Sequence, residues 1–153
     1  MIVRKATPDD INDIASLCIE QFQAMTALQP YFFQYGEQSK AFIQSVIEGD
    51  ASDILVCELK NEIEGFVLLQ AKETSDFPFI VQHKFAYLMD IIVRKNHQGN
   101  GYGKALLNEV KKWASERNLE YIELDVLTNN ENAIQFYLKN NFEDKRKTMF
   151  CRL

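Results

Sequence analysis

The hydrophobic and polar positions change their period several times along the chain, and each change marks an element. Ile2-Val3-Arg4-Lys5-Ala6 alternates with a period of two and predicts a first strand. Thr7-Pro8-Asp9-Asp10 follows with the features of a helix start. Thr7 can cap, Pro8 suits the first helical position, and the two acids favour the positive end of the dipole. Ile11, Ile14, Ala15, Cys18, Ile19 and Phe22 then recur at helical spacing, carrying the helix to about Met25. Leu28 to Gly36 is broken by Pro30 and Gly36 and predicts a loop bearing Tyr31, Phe32, Phe33 and Tyr35. Ser39 to Ile47 predicts a second helix, ended by Gly49-Asp50.

Ile54 to Leu59, the polar turn Lys60-Asn61-Glu62 and Ile63 to Gln70 form a hairpin pattern. Lys72 to Lys84 is polar, contains Pro78 and predicts a loop. Tyr87 to Val93 is mostly apolar, as in a central strand covered on both faces. A glycine-rich turn follows. Lys104 to Arg117 then carries Leu106, Leu107, Val110, Trp113 and Ala114 on one side and predicts a helix. Tyr121 to Leu127 predicts a strand, Glu131 to Lys139 a short helix and Phe142 to Arg152 a last strand. The order β-α-α-β-β-β-α-β-α-β predicts an α/β protein of the α+β kind, a mixed sheet of about six strands with helices on its faces.

Composition bounds the function. The 153 residues fit one domain with one core. No apolar run of about 18 residues predicts a membrane span, and the first residues lack a signal peptide's apolar stretch. A cytoplasmic location is the expectation. Cys18, Cys57 and Cys151 are too scattered for a disulfide framework or zinc spacing, and two histidines make no His-rich metal site. No metal is expected. Seventeen basic and twenty-two acidic residues give a net charge of −5, which argues against a nucleic-acid partner. The same charge favours cationic partners such as amines through long-range attraction, or simply aids solubility.

The turn Gln98-Gly99-Asn100-Gly101-Tyr102-Gly103 carries the chemistry. A helix start presents four unpaired N–H groups and a partial positive charge, which together stabilise an anion. Glycines let the backbone approach a phosphate closely, although each costs about 0.5–1 kcal/mol inside a helix. A dinucleotide fingerprint starting at Gly99 would need glycine where Lys104 stands. A Walker loop would need glycine at Gln98 and Ser or Thr at Ala105. Both patterns fail.

The pattern Gln98-x-x-Gly101-x-Gly103 resembles the pyrophosphate loop of the GNAT superfamily of N-acetyltransferases. The opening Ile2 to Ile11, the hairpin ending Ile63-Glu64-Gly65-Phe66-Val67, and Asn130-x-x-Ala133-x-x-Phe136-Tyr137 with Asn141-Phe142 are similar to family features in the same order. Asn141 departs from the family's usual glycine, but Asn tolerates the left-handed conformation expected after a helix. The resemblance covers essentially the whole chain. It implies a mostly antiparallel, twisted central sheet with four helices and splayed central strands. It also implies acetyl-CoA as co-substrate and an amine of a small molecule or peptide as acceptor. Homodimers are common among relatives. A non-catalytic acyl-CoA-binding module on the same fold is the alternative.

The resemblance further assigns roles. Backbone groups of Ile91, Ile92 and Val93 would meet the pantetheine arm, and Gly99, Asn100, Gly101, Tyr102, Gly103 and Lys104 would wrap the pyrophosphate. Lys104 is otherwise a solvated helix residue. Tyr137 matches the family tyrosine that protonates the departing thiolate, or is a core aromatic beside Phe136. Asn130 either contacts the cofactor or caps a helix. Asp90 and Asp125 lie in otherwise apolar strands, where an acid is costly unless paired. Each matches an acidic position in some relatives, or turns to solvent or a lysine; a water-mediated base is also possible. Tyr31, Phe32, Phe33 and Tyr35 either wall the substrate pocket or cover a core edge.

Overall fold

The computed structural model describes all 153 residues. Its elements are β1 (Ile2–Lys5), α1 (Ile11–Leu28), α2 (Lys40–Glu48), β2 (Ser52–Leu59), β3 (Glu62–Glu73), β4 (Lys84–Val93), α3 (Tyr102–Glu116), β5 (Ile122–Glu123) and α4 (Glu131–Lys139). The strands form one sheet in sequence order, β1-β2-β3-β4-β5. All neighbours are antiparallel except β4 and β5.

Alternation along the strands divides the core between two faces. Leu55, Cys57, Val67, Leu69, Ala86 and Leu88 meet Leu106, Leu107, Val110 and Trp113 of α3. Ile54, Val56, Phe66 and Leu68 meet Ile14, Leu17 and Cys18 of α1 and Ile43 and Val46 of α2. The β2–β3 hairpin turns at Lys60 and Asn61, both left-handed at φ 52° and 66°, as a tight turn matching strand twist requires. Thr7 donates through its backbone N–H to the Asp10 carboxylate, in a single 3-10 turn that leads into α1. The buried acids Asp10 and Asp53 are well supplied with donors. Arg4 donates two hydrogen bonds to Asp10, while Trp113 Nε1, Lys5 and Arg117 all reach Asp53 Oδ2.

The two strands expected after α3 differ most from the structure. The strand expected over Tyr121 to Leu127 forms only at Ile122–Glu123. Only Ala86↔Ile122 and Tyr87↔Glu123 pair, so β4 and β5 part beyond Tyr87. The last strand expected over Phe142 to Arg152 does not form. Its first half, Glu143-Asp144-Lys145-Arg146-Lys147, is five charged residues in succession, with no apolar alternation to bury against a sheet. The sheet therefore has five strands rather than about six.

β4 also contains a bulge. Leu69 pairs with Leu88 while Leu68 pairs with Asp90, leaving Met89 as an extra residue. A bulge breaks the period of two and re-aims the side chains beyond it. Ala86 and Leu88 pack toward α3, whereas Met89 and Ile92 pack toward α1. Without the bulge, Asp90 would share the face of Leu88. With it, Asp90 turns to the α1 side.

Candidate active site

The parting of β4 and β5 opens a gap at the β5 edge of the sheet, and the glycine turn lies at the C-terminal end of β4. Gly99 and Gly101 have φ of 79° and 86°. Both values lie in the left-handed region that favours glycine. Gly101 is the N-cap of α3, and with no side chain it offers no cap to the first helical turn. The N–H groups of Gly99, Gly101, Tyr102, Gly103 and Lys104 have no backbone acceptor in the chain. A Cβ built on Gly99 or Gly101 would meet nothing within 4 Å. Open space, free donors and the positive end of a 15-residue helix together suit an anion such as a pyrophosphate.

Gly103 has a different role. Its Cβ would lie 3.4 Å from the Phe136 ring, so its small size brings α3 close to α4. The Tyr102 side chain is buried in the α3-side core, leaving only its backbone for a ligand. Gln98 Nε2 donates to the Val93 carbonyl at 3.0 Å, tying the turn to the strand end. Asn100 and Lys104 are exposed.

A charged cluster pins the turn from behind, and no sequence motif pointed to it. Arg94 donates to Glu20 on α1 at 2.9 Å and to the Ile63 carbonyl at 3.2 Å. Its Nε lies 3.2 Å from the buried Glu64 carboxylate, and His97 Nε2 lies 3.6 Å from the same oxygen. His97 also meets the Tyr102 ring edge-on, with centroids 5.1 Å apart.

The expected catalytic residues separate into two groups. Asp90 is half-buried, and Gln21 Nε2 on α1 donates to its Oδ1 at 2.5 Å. Burial raises the Asp90 carboxyl above its usual range, and the Gln21 hydrogen bond partly opposes this. Tyr137 on α4 is 9% exposed. Burial first, and then the negative field of Asp90, push its phenol up to about 12. The Cys18 thiol is pushed up to about 12 by the same two causes in the same order. Asp90, Tyr137, Cys18 and Gln21 thus form one neighbourhood. Asp125 belongs to another. It is exposed and accepts a 2.9 Å hydrogen bond from the Tyr87 hydroxyl. That phenol rises to about 12 through burial, then through its bond to Asp125.

Ile91 and Val93 pack toward α3 and Ile92 toward α1, while beyond Tyr87 the β5-facing edge of β4 carries no strand. Asn130 caps α4, its Oδ1 accepting from Ala133 N at 3.2 Å. Asn129 fixes the loop before α4 to the end of α1, donating to the Leu28 carbonyl and accepting from Gln29. Tyr31 and Phe32 pack on Phe150, with centroids 6.2 and 4.7 Å away, and Arg152 stacks over Tyr31 at 3.7 Å. The chain after α4 thus returns to the aromatic loop. Tyr35 is exposed and Phe33 half-buried.

A wide cleft of about 980 Å³ lies between the β3–β4 ends, β5 and the chain after α4, lined by Phe85, Tyr121, Glu123 and Lys145 among others. It contains none of the expected site residues. Gln21 is the site residue that sequence motifs missed. It falls seven residues after Ile14 and three after Cys18, within the apolar stripe of α1. A polar residue in such a stripe was the available signal.

The parted strands and the donor-rich turn at the start of α3 suit an anionic ligand. The chain matches the acetyltransferase (GNAT) family over residues 14–142, and it belongs to that family. It is 28% identical over 143 residues to an uncharacterized N-acetyltransferase of Methanocaldococcus jannaschii, covering 94% of this chain and 61% of that protein. A crystal structure of a tetramutant of the BH1408 protein from Bacillus halodurans superimposes with a TM-score of 0.95 at 25% identity, covering 100% of both chains. The aminoglycoside N-acetyltransferase AAC(6')-Iy in complex with CoA shares the fold, with a TM-score of 0.77 at 13% identity over 99% of this chain and 98% of that one.

No helix is long and apolar enough to cross a membrane.

Proposed function

We propose that this protein transfers the acetyl group of acetyl-CoA to a primary amine of a small molecule or peptide, with Asp90 as base and Tyr137 as acid. The observation that carries this reading is the pairing of two features. One is the set of free N–H groups at the start of α3. The other is a buried phenol within the field of the half-buried Asp90 carboxylate. The first fits the diphosphate of coenzyme A, and Gly99 to Lys104 would hold it there. Bound there, acetyl-CoA supplies a thioester carbonyl for attack and a sulfur that leaves as an anion.

The chain's own residues supply the proton transfers. An ammonium has no lone pair, so the acceptor must first lose a proton. Asp90 accepts it, because its raised carboxyl lies nearer the operating pH than an exposed one. Tyr137 stays protonated through neutral pH and donates its O–H proton to the leaving sulfur. Asp125, bonded to Tyr87 at an exposed position, lines the approach for the acceptor rather than the reacting centre. A screen of amines with acetyl-CoA, detecting released thiol, tests the reading. Tight acetyl-CoA binding with no turnover on any amine would favour a binding module instead.

A further inference from the structure

Glu64 is an acid at a position where β3 needs none. Its neighbours Ile63, Phe66 and Val67 are buried apolar residues, and Glu64 itself is 4% exposed. Its Oε2 atom is buried and forms no hydrogen bond. Arg94 Nε stands 3.2 Å from that oxygen and His97 Nε2 stands 3.6 Å from it. A buried carboxylate forfeits its bonds to water, and an apolar side chain of similar volume often serves stability as well or better. Such a breach of local packing rules is expected where function needs the group. The two basic neighbours depend on Glu64 to different degrees. Arg94 also donates to the Glu20 carboxylate and the Ile63 carbonyl, so it stays anchored without the Glu64 carboxylate. His97 has Glu64 as its one ion-pair partner. The other face of its contact is the Tyr102 ring, and Tyr102 is the first residue of α3. The Tyr102 N–H is one of the free donors at the turn. Glu64, His97, Tyr102 and the donor-bearing turn therefore form one line of contact.

We propose that Glu64 is a positioning residue for the diphosphate of coenzyme A. Through His97 it fixes Tyr102 and the first turn of α3, so that the free N–H groups converge on one anion. This role rests on the acetyl-CoA reading and deepens it. Glu64 acts from behind the turn, through His97, and not by touching the ligand. Hydrogen bonds weaken steeply as they bend away from linearity, so a shifted helix start loses several at once. The loss falls on the diphosphate, which the turn holds, and spares the pantetheine arm, which β4 holds.

Calorimetry on the full-length protein tests this with coenzyme A and with pantetheine, which lacks the diphosphate and nucleotide. Glu64→Met and His97→Leu should each bind coenzyme A about tenfold more weakly, the scale of one charge-assisted hydrogen bond. The double variant should also lose about tenfold rather than about a hundredfold, because one line of contact is cut twice. Pantetheine should bind all four proteins equally. His97 is only half-buried, so His97→Leu keeps the test open if Glu64→Met does not fold. Unchanged coenzyme A affinity in either folded variant would overturn the proposal. So would losses that multiply in the double variant, or a pantetheine affinity that falls in step with that of coenzyme A, since both describe a general packing role. Failure of the unaltered protein to bind coenzyme A would overturn the acetyl-CoA reading and this role together, so the two failures are distinct.

Discussion

Tyr137 on α4 lies within the negative field of Asp90 on β4, and that field adds to burial in holding the Tyr137 proton. A phenol kept protonated suits a general acid, and a carboxyl raised by burial suits a general base. The two residues come from elements 47 positions apart in sequence, and the bulge at Met89 is what turns Asp90 to its present side. Tyr137→Phe should lower kcat by about 10²-fold or more, the usual scale for one acid–base group. Calorimetry should show nearly unchanged acetyl-CoA affinity. Equal kcat in the variant would remove the general-acid role.

Asp90 should carry a stability cost. Its folded-state carboxyl is raised, chiefly by burial. The folded protein therefore binds this proton more tightly than the unfolded chain does. The sign follows: the penalty is fully present above the folded pKa and disappears as pH falls below the unfolded one. Asp90→Asn removes the charge and can still accept from Gln21. That variant should melt at a higher temperature at neutral pH while losing most activity, as expected of a residue kept for function. An unchanged or lower Tm would contradict the penalty. With Asp90 intact, kcat/KM should fall on the acid side at a pH above the ordinary carboxylate range.

Most of the fold was legible because its signals are local. The periodicity of α1 and the Lys60-Asn61 turn both act within a few residues. Asn141 does take the left-handed conformation, at φ 69°. The glycine turn was legible for the same reason. What was hidden depends on register and tertiary contact. Nothing local marks Met89 as a bulge, so the face of Asp90 could not be read. The side chain of Asn130 proves to cap α4, while Asn129 beside it ties the loop to α1. The Glu64–Arg94–His97 cluster joins residues from β3 and the turn, and Tyr31 meets Phe150 across the length of the chain. The strand expected over Phe142 to Arg152 runs against the charge pattern of 143–147.

The Arg4–Asp10 pair should govern acid stability at the start of the chain. Arg4 holds the Asp10 carboxyl well below its ordinary range by hydrogen bonding, and the Thr7 N–H adds to this. Its contribution is present above the unfolded pKa of about 3.9 and is lost as pH falls through the lower folded value. Arg4→Met leaves the buried Asp10 short of two donors. It should reduce stability by about 1.5–3 kcal/mol at pH 7, the range for hydrogen bonds to a charged group. The difference from the unaltered protein should shrink as pH falls below the unfolded value of about 3.9 and through the lower folded one. Urea unfolding on both sides of that range gives the comparison, and a difference independent of pH would sink the assignment.

Gly101 separates the backbone's role from the side chain's. Its φ of 86° disfavours most residues by roughly 1–2 kcal/mol, so Gly101→Val should weaken both the turn and the ligand. Asn tolerates that conformation better. A side chain there also meets no protein atom within 4 Å of its Cβ. Gly101→Asn should therefore keep the fold and place its side chain in the space open to a phosphate. The expected result is a Tm close to that of the unaltered protein with acetyl-CoA bound at least about tenfold more weakly, a loss of 1.4 kcal/mol or more. Normal affinity by calorimetry in a folded Gly101→Asn protein would mean the diphosphate does not lie over this turn. The free N–H groups at the start of α3 would then need another anion.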